Sequence, residues 1–254
     1  FTTINNGSLF MNTKLYTGDS ASSRTIAGIG FEPSLTWNKP RTTANDHQWV
    51  DAVRGGGKVI SSNLADAEYT AGNTILSFNS DGFTCGDGAS VNANGVDYVS
   101  WNWKANGAGS ANTDGSINTT YTSANTTAGF SIIKYAGTGS SGTIGHGLSA
   151  TPKVLIIKEI DGTESWRVWH RDAPNYSTTA LSLNSSSAEF SQTNWIGTVD
   201  NSIITLGTDS SINTSGNNYI CYAFAEKQGF SKFSSYTGNG NNDGSFIYTG
   251  FSTA

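Results

Sequence analysis

Short apolar segments of four to eight residues alternate along this chain with clusters of Gly, Asn, Asp and Ser. "FSIIKY", "KVLIIKEI", "SWRVWH", "TALSLN", "SIITLG" and "NYICYAF", all between Ser131's neighbour Phe130 and Phe224, are rich in β-branched and aromatic residues. That composition, bounded by turn residues, predicts strands. "TALSLN" and "YVSWNW" alternate with period two, as half-buried strands do, whereas "KVLIIK" is a continuous apolar run suited to a central strand. "IDGTE", "NANGVD" and "NSDGF" supply Asp-Gly and Asn-Gly turn chemistry, where a backbone with positive φ is needed. No window of eleven or more residues sustains a helical period. "DHQWVDAVRGGGK", residues 46–58, comes nearest and is broken by three glycines, so it reads as strand and loop.

The pattern occurs twice. "FEPSLTWNK" lies over "ATPKVLIIK", with Pro33 on Pro152, Lys39 on Lys158 and Tyr16 on Tyr135, a displacement of 119 residues. Further along, "KVISSNLADAE" lies over "TALSLNSSSAE" and "SVNANGVDYVSWNWK" over "SINTSGNNYICYAFAE", now displaced by 121. A register that slips once, inside a loop, is what a duplicated domain with one loop insertion would show. The unit is far longer than a solenoid repeat, so each copy is expected to fold as a domain with its own core. Six to eight strands per copy predict an all-β chain of two tandem antiparallel β-sandwiches, jelly-roll or lectin-like, from an internal duplication. The expected division is 1–104 for the first sandwich, 105–117 for a Gly/Ala/Ser/Asn linker and hinge, 118–227 for the second sandwich, and 228–254 for a tail or the start of a third repeat. In "GVDYVSWNWK" the alternation puts Val99, Trp101 and Trp103 on one face, with Tyr98, Ser100, Asn102 and Lys104 on the other; the bulky face is the expected core.

Composition narrows the function. Charged residues make up only 13% of the 254 residues, about half the share usual in globular domains, so Ser, Thr, Asn and Gly must wet the surface. A net charge of −5 offers no basic stripe for phosphates, which argues against nucleic-acid binding. There is no apolar run of the roughly 18 residues a membrane helix needs and no signal-peptide pattern in residues 1–20, so a soluble chain without membrane insertion is expected. Cys85 and Cys221 do not fall at matching positions of the two copies and read as small buried hydrophobes rather than a disulfide.

Candidate chemistry is sparse. Asp46, His47, Asp51 and Arg54 gather within nine residues, where His47 could act as a base and Arg54 could hold an anion; the plainer expectation is an Arg54–Asp51 pair that staples a loop. His146 and His170 are isolated, and no metal-binding spacing, nucleophile elbow or nucleotide-binding loop occurs. The acidic loops "TGDS", "NSDGF" and "GNGNNDGS" read as turns before they read as calcium ligands. No catalytic, cofactor-binding or metal residue is therefore expected. Aromatic rings near loops could stack on sugars, and the candidates for glycan contact are Trp195, whose flanks are polar, Trp169 and Trp37.

Taken together, "GFEPSLTWNKP", "DHQWVDAVRG", "SDGFTCG", "VNANGVDYVSWNWKA", "AGFSIIKYAGTG", "GHGLSATPKVLIIK" and "NYICYAFAEKQGFSKFSSYTGNG" resemble repeat-bearing virion proteins of tailed phages, especially marine and cyanobacterial ones. The resemblance runs from about Leu15 to Phe251. It implies a non-enzymatic virion surface protein, fibre- or spike-like, whose partners are other virion proteins, further copies of itself and host surface glycans. A capsid decoration protein, or a secreted carbohydrate-binding module or glycan hydrolase, are the alternatives. No catalytic residues come with the resemblance.

Overall fold

The computed structural model describes residues 4–251. In the first half, β1 (Met11–Thr17), β9 (Asp97–Trp103), β3 (Leu35–Pro40), β4 (Gln48–Asp51), β5 (Lys58–Ser61) and β6 (Tyr69–Thr70) form one sheet in that spatial order. A smaller sheet orders β2 (Arg24–Ala27), β8 (Gly82–Cys85) and β7 (Ile75–Asn79). The second half repeats this order. Its large sheet runs β10 (Tyr121–Asn125), β11 (Phe130–Ala136), β19 (Asn218–Phe224), β13 (Val154–Glu159), β14 (Arg167–His170), β15 (Thr179–Ser182) and β16 (Phe190–Ser191). Its small sheet runs β12 (Gly142–Gly145), β18 (Ile203–Leu206) and β17 (Ile196–Val199). Every strand pair among the described residues is antiparallel, as the short strands and tight turns require. The expected all-β sandwich architecture is present. The segment around Gln48 is strand followed by loop, as its glycines suggest.

The halves also share individual contacts. Tyr16 stacks on Tyr98 with centroids 5.1 Å apart, and Tyr135 on Tyr219 at 5.3 Å. The Tyr16 hydroxyl donates to the Val91 carbonyl at 2.7 Å and that of Tyr135 to the Ile212 carbonyl at 2.8 Å. Asn92 donates to the Ala21 carbonyl and accepts from the Asp19 amide; Asn213 donates to the Ser140 carbonyl and accepts from the Thr138 amide. With the Tyr98 hydroxyl donating to the Ala89 carbonyl at 2.7 Å and the Tyr219 hydroxyl to the Ser210 carbonyl at 2.9 Å, these bonds explain why the Asn and Tyr of the repeated stretch recur while the rings around them change. The two-residue slip in register falls between β4 and β5 in one half and between β14 and β15 in the other.

Three cores separate four layers. Ile26, Phe83, Cys85, Val50 and Val59 fill the space between the first small and large sheets. Ile133, Leu155, Trp169, Ile204 and Leu206 do the same in the second half. A third core lies between the two large sheets, where Leu35, Trp49 and Ile60 of the first half meet Phe130, Trp166, Ile220 and Tyr222 of the second. The two sandwiches are joined face to face by this core. Burial of apolar area at roughly 25 cal/mol per Å² is what holds the large sheets together, face to face.

Residues 105–117 are accordingly not a free linker. Ala105 is buried in the shared core, the Asn106 amide donates to Ser123 Oγ at 2.8 Å, and Ser110 bridges to Thr122. Both faces of β9 are used for packing, not the bulky one alone. Tyr98, Ser100 and Asn102 are each fully buried against the small sheet, whereas on the opposite face Val99 is buried, Trp103 packs half-buried on the shared core and Trp101 is half-buried. The polar side survives burial because its groups are paired: Thr36 donates to Asn102 Oδ1 at 2.9 Å, and Asn102 donates to Ser100 Oγ at 3.1 Å. In the tail, Phe230 and Phe233 pack on Phe10 and Phe224, but Tyr236, Phe246 and Tyr248 are exposed and residues 232–250 form no strand.

Candidate functional site

The three rings expected to contact glycans separate in the structure. Trp195 and Trp169 are each 1% exposed and sit in the core of the second half, Trp169 edge-on to Tyr176 at 5.8 Å. No sugar can stack on either, which corrects that expectation. The polar sequence around Trp195 belongs to a corner that turns the indole inward. Trp37 is different: it is half-buried on β3, an interior strand of the first large sheet.

The register builds a surface around it. Trp101 pairs across β9 and β3 with Trp37, which pairs across β3 and β4 with Trp49. Centroid distances along this row are 5.1 Å and 5.2 Å, with the planes tilted by 50° and 51°. The row continues into the core, where Trp49 lies 4.8 Å from Tyr222 and 5.2 Å from Trp166. In the next row outward stand Lys39 of β3 and, just before β4, His47, whose ring lies 6.2 Å from that of Trp37, and Leu15 and Thr13 are exposed beside them. Partial burial first, and Lys39 second, hold the His47 pKa below its ordinary value, against the opposing pull of Asp46. Lys39 donates to its neighbour's carbonyl at Pro40, 3.0 Å away. The result is a ridged aromatic face edged by two basic groups, able to pack against an apolar surface or the face of a ring. Alternation marks Trp101 as facing one side of β9, but its meeting with Trp37 and Lys39 depends on a pairing between strands some sixty residues apart.

The acid and base cluster around His47 comes apart. Asp51 is fully buried; its carboxylate accepts from Arg54 Nε at 2.6 Å, from the Arg54 amide at 2.9 Å, and from the Tyr222 hydroxyl of the other half at 2.7 Å. Arg54 also donates to Glu68 at 3.2 Å and to the Trp49 carbonyl at 3.0 Å. Burial works against the charged guanidinium, but Asp51, Tyr222 and Glu68 outweigh it and the pKa rises. Burial, and then Asp51, likewise raise the Tyr222 pKa, so the phenol stays a donor. Asp46 instead accepts from Asn63 at 2.7 Å. This is the stapling role, extended by Tyr222 into a clamp between halves.

The other polar groups serve the fold. His146 is fully buried; its Nδ1 accepts from the Leu148 amide and its Nε2 faces the Asp200 carbonyl, both at 3.2 Å, which fixes the proton on Nε2. Burial lowers its pKa. Asp81, in the "NSDGF" loop, accepts from the Gly28 and Gly30 amides at 3.0 and 2.6 Å, a turn role. Lys158, the counterpart of Lys39, is fully buried between the halves, where burial depresses its pKa to about 8 against the pull of Glu159, and it donates to the Gly162 carbonyl at 3.0 Å. Among the described residues no group of three or more His, Cys, Asp and Glu is placed to hold a metal ion. An apolar cavity of about 360 Å³ opens where both halves meet the tail, lined by Trp103, Phe130, Val154, Ile156, Phe224 and Phe230 among others.

No curated protein and no solved structure matches this sequence. Residues 6–254 match the family model described as a domain of unknown function (DUF7483), and the chain belongs to that family.

Proposed function

We propose that the chain is a non-enzymatic structural module of a phage virion surface, fibre- or spike-like, that holds polar, weakly charged loops at a set spacing for contact with a host. The observation that carries this reading is the core shared by the two large sheets, closed by the Asp51–Arg54–Tyr222 clamp. A chain whose halves are welded in this way is a stiff spacer, and stiffness serves presentation and avidity. The phage assignment itself rests on the sequence resemblance. Weakly charged loops fit a particle exterior, and the half-exposed Trp37 is the one ring of the three expected glycan contacts that a sugar can reach.

Electron microscopy of particles labelled with an antibody against this chain tests the reading. Label on fibre or tail supports it, label on the head moves the chain to a decoration role, and absence from particles overturns it. Depolymerisation of a polysaccharide by the purified chain would overturn the non-enzymatic assignment.

A further inference from the structure

The contact between the two large sheets is not reciprocal. On the second half, Ile132, Ile220, Tyr222, Lys158 and Trp166 are all fully buried under the first half. Strand register makes Thr13, Val99, Trp101, Lys39 and His47 their counterparts. Of these only Val99 is buried; Thr13 is exposed and the other three are half-buried. One face is therefore covered in the second half and open in the first.

The covering surface shows the complementary asymmetry. The first half covers the second with Leu35, Trp49 and Ile60, with the Ser61 and Leu64 carbonyls that accept from Trp166 Nε1 at 3.0 Å each, and with Asp51. The counterparts of Leu35, Trp49 and Ile60 are Val154, Val168 and Leu181. Val168 and Leu181 are half-buried, whereas Val154 is buried beside the apolar cavity that Phe10, Met11 and Trp103 of the first half also line. So the chain uses one receiving face and one covering surface, and leaves the other of each partly open, the covering surface at Val168 and Leu181. They lie on different halves.

We propose that the open face of Trp101, Lys39 and His47 in one copy is covered by the Val168–Leu181 surface of a second copy, repeating between chains the contact that joins the halves within a chain. The occupant is a second copy because the chain itself displays both surfaces and the manner in which they fit. The exposed Leu15, paired with Val99, stands on the receiving face as an apolar projection. Lys39 and His47 would approach the segment 183–189, whose exposed Glu189 corresponds to Glu68. A contact between two different surfaces does not close on itself in a pair, so it propagates head to tail. This goes beyond the virion assignment and does not depend on it.

Sedimentation velocity on the purified chain and two charge variants tests the proposal. The wild type is expected to grow beyond a dimer as concentration rises. Leu15→Glu, which blocks the receiving face, and Val168→Glu, which blocks the covering surface, are each expected to stay monomeric. Mixed one to one they are expected to form a dimer that grows no further, because one free surface of each kind remains. Circular dichroism checks that each variant folds; Leu181→Glu replaces Val168→Glu if the latter does not. A monomeric wild type, or blocked variants that still assemble alone or fail to pair when mixed, would overturn the proposal. A monomer whose tryptophan fluorescence responds to a saccharide would give the face to a glycan instead. None of these measurements uses a virus particle, so failure here and failure of the particle labelling are separate results.

Discussion

Tyr222→Phe and Asp51→Ala test whether the two halves are one folding unit. Asp51 is fully buried and carries the charge that balances Arg54, whose side chain is itself inaccessible. Removing one partner of a buried ion pair costs about 3–5 kcal/mol. Glu68, 3.2 Å away, and the Trp49 carbonyl stay with Arg54, so Asp51→Ala belongs at the lower end of that range. Tyr222→Phe deletes one hydrogen bond to a carboxylate, worth about 1.5–3 kcal/mol, with no loss of ring packing against Trp49. In the double variant the phenol has no carboxylate to lose. The sum of the single effects should therefore exceed the double effect by at least about 1 kcal/mol, well outside the ~0.5 kcal/mol scatter of independent sites. Urea unfolding followed by tryptophan emission and by far-ultraviolet circular dichroism reads this directly, and both probes should report a single transition. Two transitions, with Asp51→Ala moving one and Tyr222→Phe the other, would refute the shared core as an energetic unit. So would additivity of the two substitutions.

Four further outcomes follow from the structure. Lowered by burial, the His146 pKa lies below its unfolded value near 6.5, so the unfolded chain takes the proton first. Stability should be full above that pH and fall as pH drops from about 6.5 through the folded-state value, by at most about 1.4 kcal/mol per pH unit for one proton; thermal melts that stay flat from pH 7.5 to 5.5 would contradict this. Gly18→Ala and Gly137→Ala should each cost about 1–3 kcal/mol by urea titration, since a Cβ would meet the Ala93 carbonyl at 2.0 Å or the Thr214 carbonyl at 2.2 Å; neutral substitutions would show that this shared backbone approach is not tight. Burial raises the Cys221 thiol and pushes Cys85 up to about 11, so a thiol reagent should label neither in the native protein and both in urea. Trp195→Ala should lower stability by about 3–5 kcal/mol and leave any signal on a glycan array unchanged, whereas Trp37→Ala should reduce such a signal.

Much of the fold is local information. Strand positions, the hairpin at "NSDGF" and the recurrence of the pattern follow from β-branched runs between Gly and Asn clusters, because a period of two and a positive φ are properties of neighbouring residues. The Arg54–Asp51 staple was legible for the same reason, its partners being three residues apart. The candidate site was legible only in part. Trp37 could be named, but so could Trp169 and Trp195, since an indole followed by polar residues looks alike whether the corner turns it in or out.

What the amino-acid order determined alone is an all-β chain with one pattern written twice. What tertiary structure decided is which faces are spent. "YVSWNW" alternates, and alternation says that its two sides differ, not which side is wet; Asn102 and Ser100 went inside because Thr36, sixty-six residues away, completes their hydrogen bonds. The large sheets packed on each other because each already had its inner face covered by a small sheet and kept a second apolar face, a sum that no single strand records. The same alternation therefore left Tyr222 fully buried and its counterpart Trp101 half open, a difference set by the neighbouring layer and not by the strand.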